Sequence, residues 1–297
     1  MSWHGHLSLD YRLDGERTIA LDKHEGPLRV LQRLYPESPA VCHHVLVHPP
    51  GGIVGGDVLT VQAHLAAGSH ALLTTPSATR FYRSAGPEAH QAVTARVDPG
   101  ARLEWLPLET IAYRGSRAVN ELRFEVAPGA EMMGWDVLAL GLPAAGQAFD
   151  DPASPDAWYT QSIELPGTWL ERGTVRSNDH RLLDSPLGWA GRRVMGTLWF
   201  AGGAALAADR REALLDAARQ PLQDSDEVVL QIAGATEAQA ALAQLHLGAT
   251  SAHDAVVVVR VLGHRVEPVM QMLMRVWSRW RPIAWGLAPC PPRVWRM

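Results

Sequence analysis

The sequence predicts a mainly β fold of stacked strand layers, with a few flanking helices in the C-terminal third. Three observations predict it. Across the first 200 residues, short apolar or alternating runs are separated by Gly, Pro and Asp, and no long helical period appears. A glycine followed by a small residue and then a strand recurs in LAAGSHALLTTP, VDPGARLEWLPLE and VAPGAEMMGWDVLAL, at Gly68, Gly100 and Gly129. The last third changes to a helical pattern broken by one very apolar run.

The β runs are WHGHLSLDYRL, SHALLTTP, ARLEWLPLE, NELRFEVA and EMMGWDVLAL. A turn glycine at a nearly constant step suggests layers that bury their apolar faces only by stacking. Regularly spaced turns also mark β-sandwiches, so the residues alone leave both open. In the last third, DRREALLDAARQP (209–221) reads as a helix halted by Pro221. TEAQAALAQLHLG (236–248) reads as a second, with a capping box at Thr236 and Gln239 and its end at Gly248. AVVVVRVLG (255–263) is a buried strand candidate. VEPVMQMLMRVWSRWRP (266–282) sets Val266, Val269, Met270, Leu273, Val276, Trp277 and Trp280 at helical spacing before Pro282. The chain reads as one unit, 1–297, with a β body to about 205 and an α/β flank over about 206–297. DDPASPDAW (150–158) reads as a surface loop and hinge.

Composition narrows the function. The 297 residues suffice for a sizeable core, and 47% hydrophobic with 20% charged residues is a globular balance. A net charge of −4 argues against a general nucleic-acid binder. Cys42 and Cys290 are too few for a disulfide framework or a cysteine-rich zinc site. The N-terminus lacks the apolar core of a signal peptide, and no run of about 18 apolar residues offers a membrane span, so a cytoplasmic protein is expected. The eleven tryptophans fit core packing first and protein interfaces second.

The strangest stretch is HPPGGIVGGD, 48–57, set between the β-like runs VCHHVLV and VLTVQAHL. A phosphate loop would need a lysine after its glycines and a helix after that; here Asp57 and a strand follow. Ile53 breaks a dinucleotide fingerprint beginning at Gly51. Gly51, Gly52, Gly55 and Gly56 instead point to tight turning and close backbone approach, delivering Asp57 to a fixed position. His4 and His6, then Cys42, His43, His44 and His48, are metal-competent side chains without the spacing of a closed site. TTPSATRFYRS, 74–84, offers Ser77 and Ser84 without a nucleophile signature. Its Arg80, Phe81, Tyr82 and Arg83 are of the types favoured at protein interfaces. Glu109, Asp136 and Glu171 stand inside or beside apolar runs, where a carboxylate must be paired, hydrated or facing a polar cavity. An ion pair, Glu109 with Arg114 for example, would satisfy the first of these.

These segments resemble the urease accessory protein UreD (UreH) family nearly end to end. GPLRVLQRLYPE, HPPGGIVGGD, TTPSATRFYRS, LEWLPLETI, LMRVWSRWRPIAWGL and PPRVW follow in the family's order. The paired N-terminal histidines and the abundance of tryptophan fall outside the pattern and take no role from it. The resemblance implies a superhelical, β-helix-like scaffold and a cytoplasmic chaperone without catalysis or a tightly bound cofactor. It implies partners UreF, UreG and the urease apoprotein, in a complex that can be dimeric, with nickel in transit through an internal polar passage. Asp57, Glu109, Asp136 and Glu171 are then the candidate stations, because carboxylate oxygen holds nickel less firmly than imidazole or thiolate. Arg80, Phe81, Tyr82 and Arg83, with Arg293 and Trp295 of the tail, are the candidate partner contacts. Two other classes compete: a metal-dependent hydrolase using the histidines and Asp57, and a β-helical carbohydrate-binding protein using the tryptophans. Neither accounts for the ordered set of segments.

Overall fold

The computed structural model describes residues 2–153, 156–223 and 245–296. Eighteen strands run in chain order through it. The first nine are β1 (His4–Asp14), β2 (Arg17–Glu25), β3 (Arg29–Val30), β4 (Val41–Val47), β5 (Val58–Leu65), β6 (His70–Thr74), β7 (Thr79–Phe81), β8 (Ala89–Val97) and β9 (Arg102–Trp105). The rest are β10 (Thr110–Ala112), β11 (Arg117–Val126), β12 (Glu131–Leu142), β13 (Gln147–Ala148), β14 (Trp158–Leu165), β15 (Trp169–Arg176), β16 (Val194–Gly202), β17 (His246–His253) and β18 (Val256–Gly263). Among the described residues three α-helices accompany them: α1 (His180–Asp184), α2 (Ala208–Gln223) and α3 (Val266–Trp285).

Two sheets face each other. The first has the order β15-β14-β11-β8-β5-β1-β2, and the second carries β17-β18-β16-β12-β9-β6-β4-β3 along its main path. Parallel pairing of β1, β5, β8, β11 and β14 on one side, and of β4, β6, β9 and β12 on the other, makes a β-solenoid of about 3 turns. The stacked-layer reading therefore holds, and the sandwich alternative does not. The repeat glycines lie one above another at a corner, each with positive φ (+75°, +75° and +83° for Gly68, Gly100 and Gly129). Gly100 N donates to Gly129 O at 3.0 Å. Only glycine adopts that backbone without strain, which is why the repeat is visible in sequence.

Burial explains the two sheets' different compositions. β5 alternates between buried and accessible positions, so the outer face of the first sheet meets solvent. β12 is buried at ten of its twelve positions, because α2 and α3 cover the outer face of the second sheet. Leu7, Leu65, Leu103, Phe124 and Trp199 fill the space between the sheets. Trp135, Phe200, Val259, Leu273 and Trp277 fill the space beneath the helices.

Three expectations for the last third are corrected. Helix α2 runs two residues past Pro221, to Gln223. Helix α3 runs through Pro282 and stops at Gly286, whose N–H reaches back to Arg281 and Pro282 carbonyls. An interior proline costs a helix about 3 kcal/mol. Anchors around Pro282 offset it: Arg281 is buried in ion pairs, and Trp285 Nε1 donates to Glu131 at 2.8 Å. The proposed helix 236–248 lies outside the described residues up to 244, and His246–Gly248 belong to β17. There Gly248 pairs with Arg260, because β18 offers a free edge and a short reverse turn returns the chain to it. β18 itself pairs with β16, so the flank continues the second sheet. In the 150–158 loop, residues 154 and 155 lie outside the described residues.

Candidate functional site

The solenoid interior is not uniformly apolar. Gln91 on β8, Asn120 on β11 and Gln161 on β14 stand in register on three neighbouring parallel strands, one amide per coil. Gln91 Nε2 donates to Asn120 Oδ1 at 3.1 Å, and Asn120 Nδ2 donates across the interior to Asp136 Oδ1 of β12 at 3.4 Å. Gln91, Asn120 and Asp136 line a cavity of about 90 Å³ whose other walls include Leu46, Ile53, Val93 and Trp105. Burial raises the Asp136 carboxyl to about 6; the Gln161 amide opposes the rise and the charge of Glu171 adds to it.

A second cavity, of about 260 Å³, adjoins this line. Tyr159, Gln161, Glu171, Gly173, Met195 and Arg260 are among its lining residues. The Tyr159 hydroxyl and both polar atoms of the Gln161 amide are buried without a hydrogen bond of good geometry. Buried polar atoms of this kind call for water or an ion. Glu171 is ion-paired with Arg260, which reaches it from the opposite sheet. Asp136, at the first cavity, and Glu171, at the second, thus stand on either side of Tyr159 and Gln161.

The other two proposed stations sit elsewhere. Asp57 is buried, but its carboxylate is occupied by backbone: Trp3 N donates to Oδ1 at 2.7 Å and Val54 N to Oδ2 at 3.0 Å. It closes the glycine loop and is not among the residues lining either cavity. Glu109 is half-buried just before β10; its carbonyl accepts from Thr79 N at 2.9 Å. Arg114 pairs with Asp151 at 3.1 Å instead of with Glu109.

The glycine loop is bare for two physical reasons. Gly51 and Gly56 have φ of +75° and +91°. Gly52 and Gly55 make room: a Cβ on Gly52 would fall on the Tyr82 ring, and one on Gly55 on Ser84 Oγ. Ile53 N donates to Arg80 O at 2.7 Å and Tyr82 N to Ile53 O at 2.9 Å, zipping the loop to β7. The two segments most specific in the sequence are therefore one structural unit. Within it Arg80 and Ser77 line the first cavity, while Tyr82 and Arg83 are exposed. Phe81 is buried against Tyr159, 5.7 Å between ring centroids, and supports the unit from within, so it presents no surface to a partner. At the tail Arg293 is exposed, whereas Trp295 packs on Trp135 and Trp277 and donates to Thr74 Oγ1 at 2.9 Å.

Sequence reasoning missed the densest polar cluster. Glu104, from the same LEWLPLETI run as Glu109, is fully buried between His70 (2.9 Å), Trp277 Nε1 (2.7 Å) and Arg281 (3.0 Å). Arg281 also pairs with Glu37 at 2.8 Å, and Glu37 with His43 at 2.7 Å. Burial alone would raise the Glu104 carboxyl, but His70 and Arg281 hold it down at about 2. An arginine inside an apolar helical stripe was the available signal, since it demands a buried acid. His44 is buried with Nδ1 on Tyr11 at 2.7 Å, and burial lowers it to about 4. His6 meets Thr60 at 2.8 Å. Among the described residues, no three His, Cys, Asp or Glu side chains converge as a metal cage.

The family model for the UreD urease accessory protein matches residues 4–296. The chain is 58% identical to the urease accessory protein UreD of Leptothrix cholodnii, over the whole of both chains. It is 54% identical to that of Methylibium petroleiphilum, again over both whole chains, and 52% identical to that of Variovorax paradoxus over 99% of each.

Proposed function

The chain belongs to the UreD family of urease accessory proteins, and from that premise we propose that it is a cytoplasmic, non-catalytic scaffold that conveys nickel toward the urease apoprotein in an assembly with UreF and UreG. The observation that carries this reading is the line of oxygens inside the solenoid: Gln91, Asn120, Asp136 and Gln161, ending beside Glu171.

The chemistry suits transfer better than storage. Amide and carboxylate oxygens bind nickel weakly compared with imidazole or thiolate, so a cation moving among them is not trapped. Asp136 is the only ionisable side chain among the residues named in that line apart from Glu171, and an arriving divalent cation would favour its ionised form. The walls are mostly apolar, and His48 is the one imidazole among the residues lining the first cavity. Tyr82, Arg83 and Arg293 are exposed and remain the proposed partner contacts.

The test is co-expression with the urease operon. Asp136→Ala should leave the chain soluble and the assembly with UreF and UreG intact, while nickel content and urease activity fall. A soluble, assembled Asp136→Ala complex that yields fully nickel-loaded urease sinks the passage reading at this residue.

A further inference from the structure

The amide line has a fourth rung, and it is empty. Continuing the register Gln91–Asn120–Gln161 onto β15 arrives at Gly173. Neighbouring strands are about 4.8 Å apart, so this rung follows at the same step as the others. On β15, Glu171, Gly173 and Val175 share the inward face, and Leu170, Arg172, Thr174 and Arg176 the outward one. Val175 is buried, as are Tyr159 and Ile163 on the inward face of β14. Gly173 alone in that set is exposed.

The fold does not require a glycine there. Gly173 has no positive φ, and a Cβ added to it would meet nothing within 4 Å. By contrast, a Cβ on Gly52 or Gly55 would collide with a neighbour. The missing side chain therefore opens the wall of the second cavity and serves no turn or close packing. Glu171 stands two residues away on the same face, ion-paired with Arg260, whose Nε is buried without a partner.

We propose that Gly173 is the doorway by which a divalent cation crosses the solenoid wall, with Glu171 as the receiving carboxylate and Arg260 as the cation that keeps it closed. The proposal rests on the passage reading. While Arg260 holds Glu171, and with Arg172 also lining the cavity, the mouth offers a free cation no attraction. When Arg260 moves aside, a carboxylate is exposed next to the Gln161 amide.

The experiment is a volume series, Gly173→Ala, Gly173→Val and Gly173→Phe, co-expressed with the urease operon. Ser162→Phe adds the same bulk to the outward face of β14 and is the control. Assembly is followed by co-purification, and nickel per urease by metal analysis. The expected result is intact assembly throughout and a stepwise fall in nickel loading, about tenfold at Gly173→Phe, with Ser162→Phe unaffected. Full loading in Gly173→Phe overturns the doorway. So does failure of the series to assemble where Ser162→Phe assembles, since the fold would then need the glycine. Asp136→Ala, run in parallel, separates the two ideas. If it lowers loading and Gly173→Phe does not, the doorway falls and the passage stands; if neither lowers loading, both fall.

Discussion

Arg281 and Glu104 meet at 3.0 Å with both side chains fully buried, joining helix α3 to the centre of the second sheet. Removing one member of such a pair leaves a charge in a low-dielectric interior and costs about 3–5 kcal/mol. Glu104→Ala should therefore destabilise the chain by about 3 kcal/mol or more, read as a fall in the denaturation midpoint of the co-purified complex. Glu131→Ala, at the pair between β12 and Arg210 of α2 that is partly open to solvent, should cost less. Equal losses from the two would show that burial of the Arg281 pair adds nothing.

The same carboxylate sets an acid limit. Its folded value of about 2 lies below its ordinary 4.5, so its contribution is complete above 4.5 and is lost as pH falls from 4.5 toward 2. His44, held at about 4 against an ordinary 6.5, acts in the same direction between 6.5 and 4. Asp136, raised from 3.8 to about 6, opposes them between those two values. His44 and Asp136 thus largely offset each other between pH 6 and 4, while His48, His70 and His264, also lowered by burial, add to the loss, so stability should fall gradually below about 6.5 and steeply below 4. Glu104→Gln should flatten the drop; an equally steep acid limb in that variant would assign it to other groups.

The loop and the Tyr82 ring should behave as one unit. Gly52→Ala forces the ring out and should cost about 1–3 kcal/mol, as overpacking does. Adding Tyr82→Ala should recover most of that loss. Strict additivity in the double-mutant cycle would contradict the contact.

Asp57 and Asp136 should give opposite phenotypes. Asp57→Ala strips the Trp3 and Val54 N–H groups of their acceptor and should reduce stability by about 1–3 kcal/mol, with soluble yield falling too. Asp57→Asn keeps an oxygen acceptor and should retain most of it. If Asp57→Ala is as stable as the parent chain but loads no nickel, Asp57 is a station after all.

Deleting residues 291–297 should destabilise the fold. It removes the Trp295 ring from Trp135 and Trp277, together with a hydrogen bond to Thr74. A loss of about 2–4 kcal/mol is expected for a partly buried tryptophan. An unchanged melting temperature would show that the tail packs without contributing.

The layers were legible because the sequence repeats their least negotiable part, the positive-φ glycine at each corner. The stripe of α3 was legible from spacing, whereas its end was not, because proline was read from local propensity and the anchors at Arg281 and Trp285 are tertiary. Asp136 could be singled out as a carboxylate in an apolar run. The amides beside it could not: Gln91, Asn120 and Gln161 lie 29 and 41 residues apart, and only strand register brings them to one level. Asp57 stood out for its glycines, but what occupies its carboxylate is the backbone of Trp3 and Val54.

The long reach of Arg281 also orders events at the ribosome. Glu37 and Glu104 precede their shared cation by 244 and 177 residues. During synthesis the N-terminal coils emerge with Glu37 beside His43 and Glu104 beside His70 but without the guanidinium the two acids share, so those coils do not settle as a finished unit ahead of the rest. The nascent chain must be kept from aggregating until its last helix is released. A message cut short before codon 281 then yields a protein that lacks the one charge its first half was waiting for.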